Sequence, residues 1–145
     1  MKYVLLPLIC LCVLQIHELK TEVLYLEEHI TYLEKERMRS LEVKITFYAP
    51  DLGGINSDTT PDKTATMQTP VPGWTCAISR DLVRAGWLGR RIYIKGLGVR
   101  YASDIMGKSV NGKIIERQID ICVGKKNVWT ETKKFGKSKE IATIL

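Results

Sequence analysis

The rhythm of apolar and polar positions changes twice along the chain. From Tyr3 to Ile16 the residues read "YVLLPLICLCVLQI", an almost unbroken apolar run preceded by the single basic residue Lys2. That is the length of a signal-peptide core and short for an unaided membrane span. No small-x-small cleavage site follows it. An uncleaved signal anchor, a cleaved signal peptide (both spanning residues 1–16) and a soluble helix therefore stay open, and the first two place the remainder outside the cytoplasmic membrane. From His17 to Leu41 the apolar residues Leu19, Val23, Leu26, Ile30 and Leu33 are spaced alternately by four and three, with glutamates and basic residues on the other faces. This is the seam of a short coiled coil, which would make a stalk over residues 17–41 and a homodimer, and it is also the pattern of an amphipathic linker helix.

After Leu41 the period becomes two. In "LEVKITFYAP" Leu41, Val43, Ile45 and Phe47 alternate with Glu42, Lys44, Thr46 and Tyr48, which predicts a half-buried strand. "DLGGINSDTTPDKTATMQTPVPG" reads as loop. "WTCAISRDL", "RRIYIKGLGVRYASD" and "RQIDICVG" read as further strands, and "NVWTETKKFG" as the one helix. The expectation for residues 42–145 is a small, mainly β domain built as a closed barrel.

Composition sharpens the division. All 11 glycines and four of the five prolines lie after residue 49, so a turn-rich compact part follows a simple leader. The net charge is +6, and the excess of Lys and Arg falls on the compact part. A basic surface suits an anionic polymer or an ordinary solvated exterior. Nucleic acid is not favoured, because Trp74, Trp87 and Trp129 are scattered rather than laid along one basic strand face. The glycines lack the spacing of a dinucleotide or phosphate loop. Of the four cysteines, Cys10 and Cys12 belong to the leader. Cys76 and Cys122 lie inside apolar strands and read as small buried hydrophobes, with a disulfide between them as the alternative in an exported domain. His17 and His29 lie outside the barrel, so no metal and no cofactor is implied.

Three aspartates stand at or near the ends of apolar strands: Asp81 after "CAISR", Asp104 after "VRYAS" and Asp120 within "RQIDICV". Each alone reads as a turn or capping residue. Together in one small barrel they can converge on a rim, where desolvation and mutual repulsion would keep one of them protonated near neutral pH, ready to act as an acid.

The order of the blocks "ITFYAP", "TATMQTPVPGWTCAISRDL", "GWLGRRIYIKGLGVRYASD" and "GKIIERQIDICV" resembles the 3D domain, named for its three aspartates and found in stationary-phase survival proteins and in membrane-bound lytic transglycosylase A. The resemblance runs from about Val43 to about Val123. It implies a double-psi β-barrel that cleaves peptidoglycan glycan strands between N-acetylmuramic acid and N-acetylglucosamine, with Asp120 as catalytic acid and Asp104 and Asp81 beside it. It also implies that Tyr48, Thr64 and Thr66 line the substrate groove. A barrel that binds the wall and cuts nothing, or a purely structural stalk protein, is the rival expectation. Lys95 and Lys108 could meet acidic peptide stems, or be solvated lysines. The family pattern has a glycine where this chain has Met67, and a shorter connection after the second aspartate than "DIMGKSVNGKIIERQID".

Overall fold

The computed structural model describes residues 5–50, 62–135 and 138–145, with side chains from residue 12. The first four residues of the leader and residues 51–61 of the expected loop lie outside the described residues. The chain divides into two compact units, Met1–Met38 and Arg39–Leu145.

The first unit holds one uninterrupted helix, α1 (Leu5–Arg37), so the apolar run and the heptad seam belong to a single element. Pro7 falls in its first turn, where a missing N–H costs no intrahelical bond. Lys35 and Arg37 fall in the last turn, where positive charge complements the negative end of the helix dipole. Leu19, Val23, Leu26, Ile30 and Leu33 are each at least half exposed. Among the described residues no helix is long and apolar enough to cross a membrane.

The second unit is a closed six-stranded barrel. In chain order its elements are β1 (Ser40–Tyr48), β2 (Thr75–Ile78), the short helix α2 (Arg80–Arg84), β3 (Arg91–Ile94), β4 (Gly98–Ile105), the two-residue strands β5 (Ser109–Val110) and β6 (Lys113–Ile114), β7 (Gln118–Cys122), α3 (Val128–Phe135) and β8 (Lys139–Ile144). Around the barrel the order is β1-β7-β2-β4-β3-β8, while β5 and β6 form a separate hairpin. The pairs β1/β7 and β2/β4 are parallel and the other four antiparallel. Exchanging the first three barrel strands with the last three reproduces every pairing and its direction. The two halves are thus interleaved around a pseudo-twofold axis that passes between β2 and β7.

The period-two pattern decides what faces inward. Val43, Ile45, Cys76, Ile78, Ile92, Ile94, Ile119 and Ile121 are almost wholly buried and fill the interior. Their strand neighbours Thr46, Ala77 and Asp120 therefore point to the outside of the wall. The same alternation excludes a Cys76–Cys122 disulfide. Cys76 stands opposite Ile121 and faces inward, whereas Cys122 faces outward with Tyr48 and Ala77. Side chains leaving opposite faces of one sheet cannot meet, and neither cysteine is disulfide-bonded.

Three local features differ from the sequence expectation. The end of "WTCAISRDL" is not strand: the chain turns at Ser79 into α2, whose first turn carries Asp81. "KEIATI", read as nothing in particular, is β8 and closes the barrel between β1 and β3. The long connection after Asp104 contains the β5/β6 hairpin, turned by Asn111 (φ 51°) and Gly112 (φ 74°). Asn-Gly with both φ values positive is the two-residue turn that matches strand twist. The extra residues fold on themselves and leave β4 and β7 in place.

Candidate active site on the barrel wall

Cross-strand register builds the site. In the parallel pair β1/β7, Thr46 stands opposite Asp120; in β2/β7, Ala77 stands opposite Asp120; in β2/β4, Ala77 stands opposite Asp104. Thr46, Asp120, Ala77 and Asp104 thus form one row across four strands, on the outer face. The two aspartates are two strands apart, about 10 Å between backbones at ordinary strand spacing. Between them lies only the methyl group of Ala77. The expectation that the aspartates meet at a barrel rim is corrected here: Asp120 is in mid-strand and the site is on the wall.

Asp120 has the environment of an acid. Its Oδ1 is buried with no hydrogen-bond partner. Its pKa is raised from 3.8 to about 6: desolvation is the largest cause, a hydrogen bond from the Thr46 hydroxyl opposes it, and the Asp104 charge adds to it. The Thr46 hydroxyl is itself oriented, because Gln118 Nε2 donates to its oxygen at 3.0 Å and leaves its proton for Asp120. Thr46→Val should remove the opposing hydrogen bond and raise the Asp120 pKa. A carbon-13 NMR titration of the carboxyl should show the midpoint moving to higher pH.

Asp104 is held differently. Its Oδ1 accepts hydrogen bonds from the backbone N–H groups of Ala65 and Ile105, each at 2.9 Å. The first of these ties the loop at 64–68 to β4. A β-bulge contributes a second tie: the register of β2/β4 shifts between Cys76 and Ala77, the extra residue being Ser103, and the Ser103 carbonyl accepts from Thr66 N at 3.0 Å.

Within that loop Thr64 is buried. Its Oγ1 lies 3.2 Å from Thr66 Oγ1 and accepts from Gln68 N at 3.2 Å, so it shapes the loop while Thr66 is the more exposed of the pair. Tyr48 is also buried, packed with Ala77 and Cys122 against Met106. Burial of its hydroxyl holds its pKa well above the ordinary value. Tyr48 and Thr64 therefore support the site from beneath rather than offer it a surface.

Asp81 is not in the row. Its Oδ2 accepts from the backbone N–H of Arg117 at 2.9 Å, and Ser79 Oγ accepts from Gln118 N at 3.1 Å. Arg117 has φ 45°, an unfavourable conformation for a residue with a side chain. Asp81 thus fastens the turn that feeds β7, three residues before Asp120.

Met67 has φ 61°, and its side chain is 74% exposed. A left-handed conformation costs a side-chain-bearing residue about 1–2 kcal/mol, of which glycine gives part back through its freer unfolded state. Met67→Gly should therefore stabilise the fold by about 0.5 kcal/mol, seen as a small rise in the urea midpoint with unchanged slope.

Sequence reasoning missed Thr46, Gln118 and Ala77, whose importance lies in register. It also missed Trp74 and Tyr101, whose rings stack at 6.3 Å between centroids and 8° between planes. Among the described residues, no three His, Cys, Asp or Glu side chains gather as a metal ion would require. Compared with protein-family models the chain matches none, and comparison with curated proteins gives no match either.

Proposed function

We propose that the barrel is a lytic transglycosylase of the 3D type, cutting peptidoglycan between N-acetylmuramic acid and N-acetylglucosamine. The observation that carries this reading is Asp120: a carboxyl whose pKa burial raises to about 6, with one oxygen unpartnered, on a row that faces outward beside Asp104. The interleaved halves and the parallel pairs β1/β7 and β2/β4 agree with the double-psi form of the barrel.

Hydrolysis of a glycoside needs two working carboxyl groups. A transglycosylase needs one. Protonated Asp120 donates to the glycosidic oxygen, the bond from that oxygen to the muramic acid anomeric carbon breaks, and positive charge develops at that carbon. The sugar's own 6-hydroxyl then attacks it, and the Asp120 carboxylate takes the hydroxyl proton. The product is a 1,6-anhydro sugar and the acid is restored. The intramolecular nucleophile is already positioned, which replaces the capture of a water. Asp104, occupied by two N–H donors, serves as a fixed negative charge that supports the Asp120 pKa and the developing cation.

The apolar run from Tyr3 to Ile16 acts in this reading as a signal anchor or signal, placing the barrel in the cell envelope, held at the membrane. The exposed seam Leu19, Val23, Leu26, Ile30 and Leu33 is suited to pairing two copies as a stalk. The deciding experiment is digestion of purified sacculi, with mass spectrometry of the released muropeptides. Anhydro ends support the proposal; reducing ends would make the protein a hydrolase. Sacculi left intact, with protein pelleting on them, would make it a wall-binding module.

A further inference from the structure

A second surface lies beside the aspartate row. It is a groove of about 560 Å³ lined by Gln68, Trp74, Arg90, Arg91 and Tyr101 together with Gly89 and Leu145. Trp74 and Tyr101 stack nearly parallel, and Trp74 keeps 41% of its surface in water. A large aromatic ring left that open on a wall with a filled interior offers a flat apolar face.

The backbone fixes this face. Tyr101 N donates to the Trp74 carbonyl at 2.8 Å. Arg91 stands opposite Tyr101 in the β3/β4 register and so shares its side of the wall. Arg90 is locked by its carbonyl accepting from Ala102 N at 3.0 Å, just after the turn at Gly89 (φ 76°). Both arginine side chains are exposed, and among the described residues neither forms an ion pair. The groove therefore joins an aromatic platform to two exposed arginines that are not held in ion pairs with any described residue.

The groove and the aspartates are on one face because of the bulge. Tyr101 and Asp104 are three residues apart and would point to opposite sides of a regular strand. With Ser103 absorbed by the bulge, they stand opposite Thr75 and Ala77, two residues apart on β2. The step from Tyr101 to Asp104 is then about 7 Å along the wall, so one extended ligand can reach both. The loop that Asp104 anchors at Ala65 also reaches the groove, through Gln68.

We infer that the Trp74/Tyr101/Arg90/Arg91 groove is a binding subsite for an acidic saccharide: a sugar ring lies on the aromatic pair while its carboxylate, or that of an attached peptide, meets the arginines. Its placement along a cleaved glycan rests on the function proposed above. The binding itself does not.

The test uses the full chain with Asp120→Asn as the uncleaving parent, and two soluble ligands: a peptidoglycan glycan fragment carrying carboxylates, and a chitin tetrasaccharide of similar length without charge. Titration calorimetry should find that Trp74→Ala weakens both about five- to tenfold, the scale of one aromatic stacking contact. The double change Arg90→Ala, Arg91→Ala should weaken the acidic ligand alone and flatten its salt dependence. Both positions are exposed, so melting curves should match the parent's. Should both variants bind like the parent, or the parent bind neither ligand, the subsite does not exist. Release of anhydro products by the wild-type protein is scored separately: cleavage without these binding effects removes the subsite and leaves the transglycosylase, and binding without cleavage does the reverse.

Discussion

Under the proposed function, Asp120→Asn should lower the release of 1,6-anhydro-muropeptides by about 10²- to 10⁴-fold, the usual worth of a general acid, and independently of that function it should make the protein more stable at pH 7. The second effect follows from the burial of the carboxyl. A carboxyl whose pKa rises from 3.8 to about 6 on folding binds its proton more tightly in the folded chain, so folding is favoured at low pH and the advantage is lost as pH rises from about 4 through about 6. Above that range the buried charge costs about 3 kcal/mol through proton linkage. Asparagine keeps the shape without the charge and should recover most of that cost. Urea denaturation at pH 7.5 should show the gain, and at pH 3.5, where both states hold the proton, it should vanish. Wild-type activity should fall about tenfold per pH unit above 6, since only the protonated form begins the reaction. A variant that loses activity and gains no stability would mean that Asp120 is not a desolvated acid.

The two replacements of Asp104 should separate its roles. Asp104→Asn retains an oxygen able to accept from Ala65 N and Ile105 N, so the loop at 64–68 should stay in place while the negative charge disappears. The Asp120 pKa should fall, and the pH at which activity declines should move down with it. Asp104→Ala also removes the acceptor. Two N–H donors lose a charged partner, a loss of about 2–3 kcal/mol in stability, and the loop is then held mainly by Thr66 N on Ser103. Activity should drop further than in Asp104→Asn by about tenfold or more. Hydrogen exchange at Ala65 would report the loosening directly: fast in Asp104→Ala, protected in Asp104→Asn. Equal exchange in the two variants would show that the carboxylate does not anchor the loop.

Much of the barrel could be read from residue order. Leu41, Val43 and Ile45 alternate with polar neighbours, and the same rhythm in "RQIDICV" already set Asp120 apart from Ile119 and Ile121. α3 was visible from "VWTETKK" between turn residues. β8 was not, because its one deeply buried residue is the small Ala142, flanked by the half-buried or exposed Ile141 and Thr143. α2 was hidden since "SRDL" follows the strand without a glycine or proline to mark the change. For the site, residue type pointed to Asp104 and Asp120 but could not place them on the wall instead of the rim. That placement depends on Ala77 standing between them, a fact of register across three strands. Asp81 had the same residue type and a similar strand-end position, and only its hydrogen bond to Arg117 N reveals a different task. Tyr101 and Asp104 come onto one face through a bulge, which no periodicity announces.

The interleaving of the two halves also governs how the molecule comes into being. β1 emerges first among the barrel strands, yet its neighbours are β7 and β8, the last two to be made. Thr46 receives its hydrogen bond from Gln118 across 72 residues of chain. Closing loops of that size must precede any reward from the contacts they bring, which makes for slow folding compared with hairpin-by-hairpin barrels. The row of Thr46, Asp120, Ala77 and Asp104 takes two members from each half of the chain. A nascent or truncated polypeptide that stops before β7 has neither Asp120 nor a closed wall, so the aspartate row and the fold arrive in one late step.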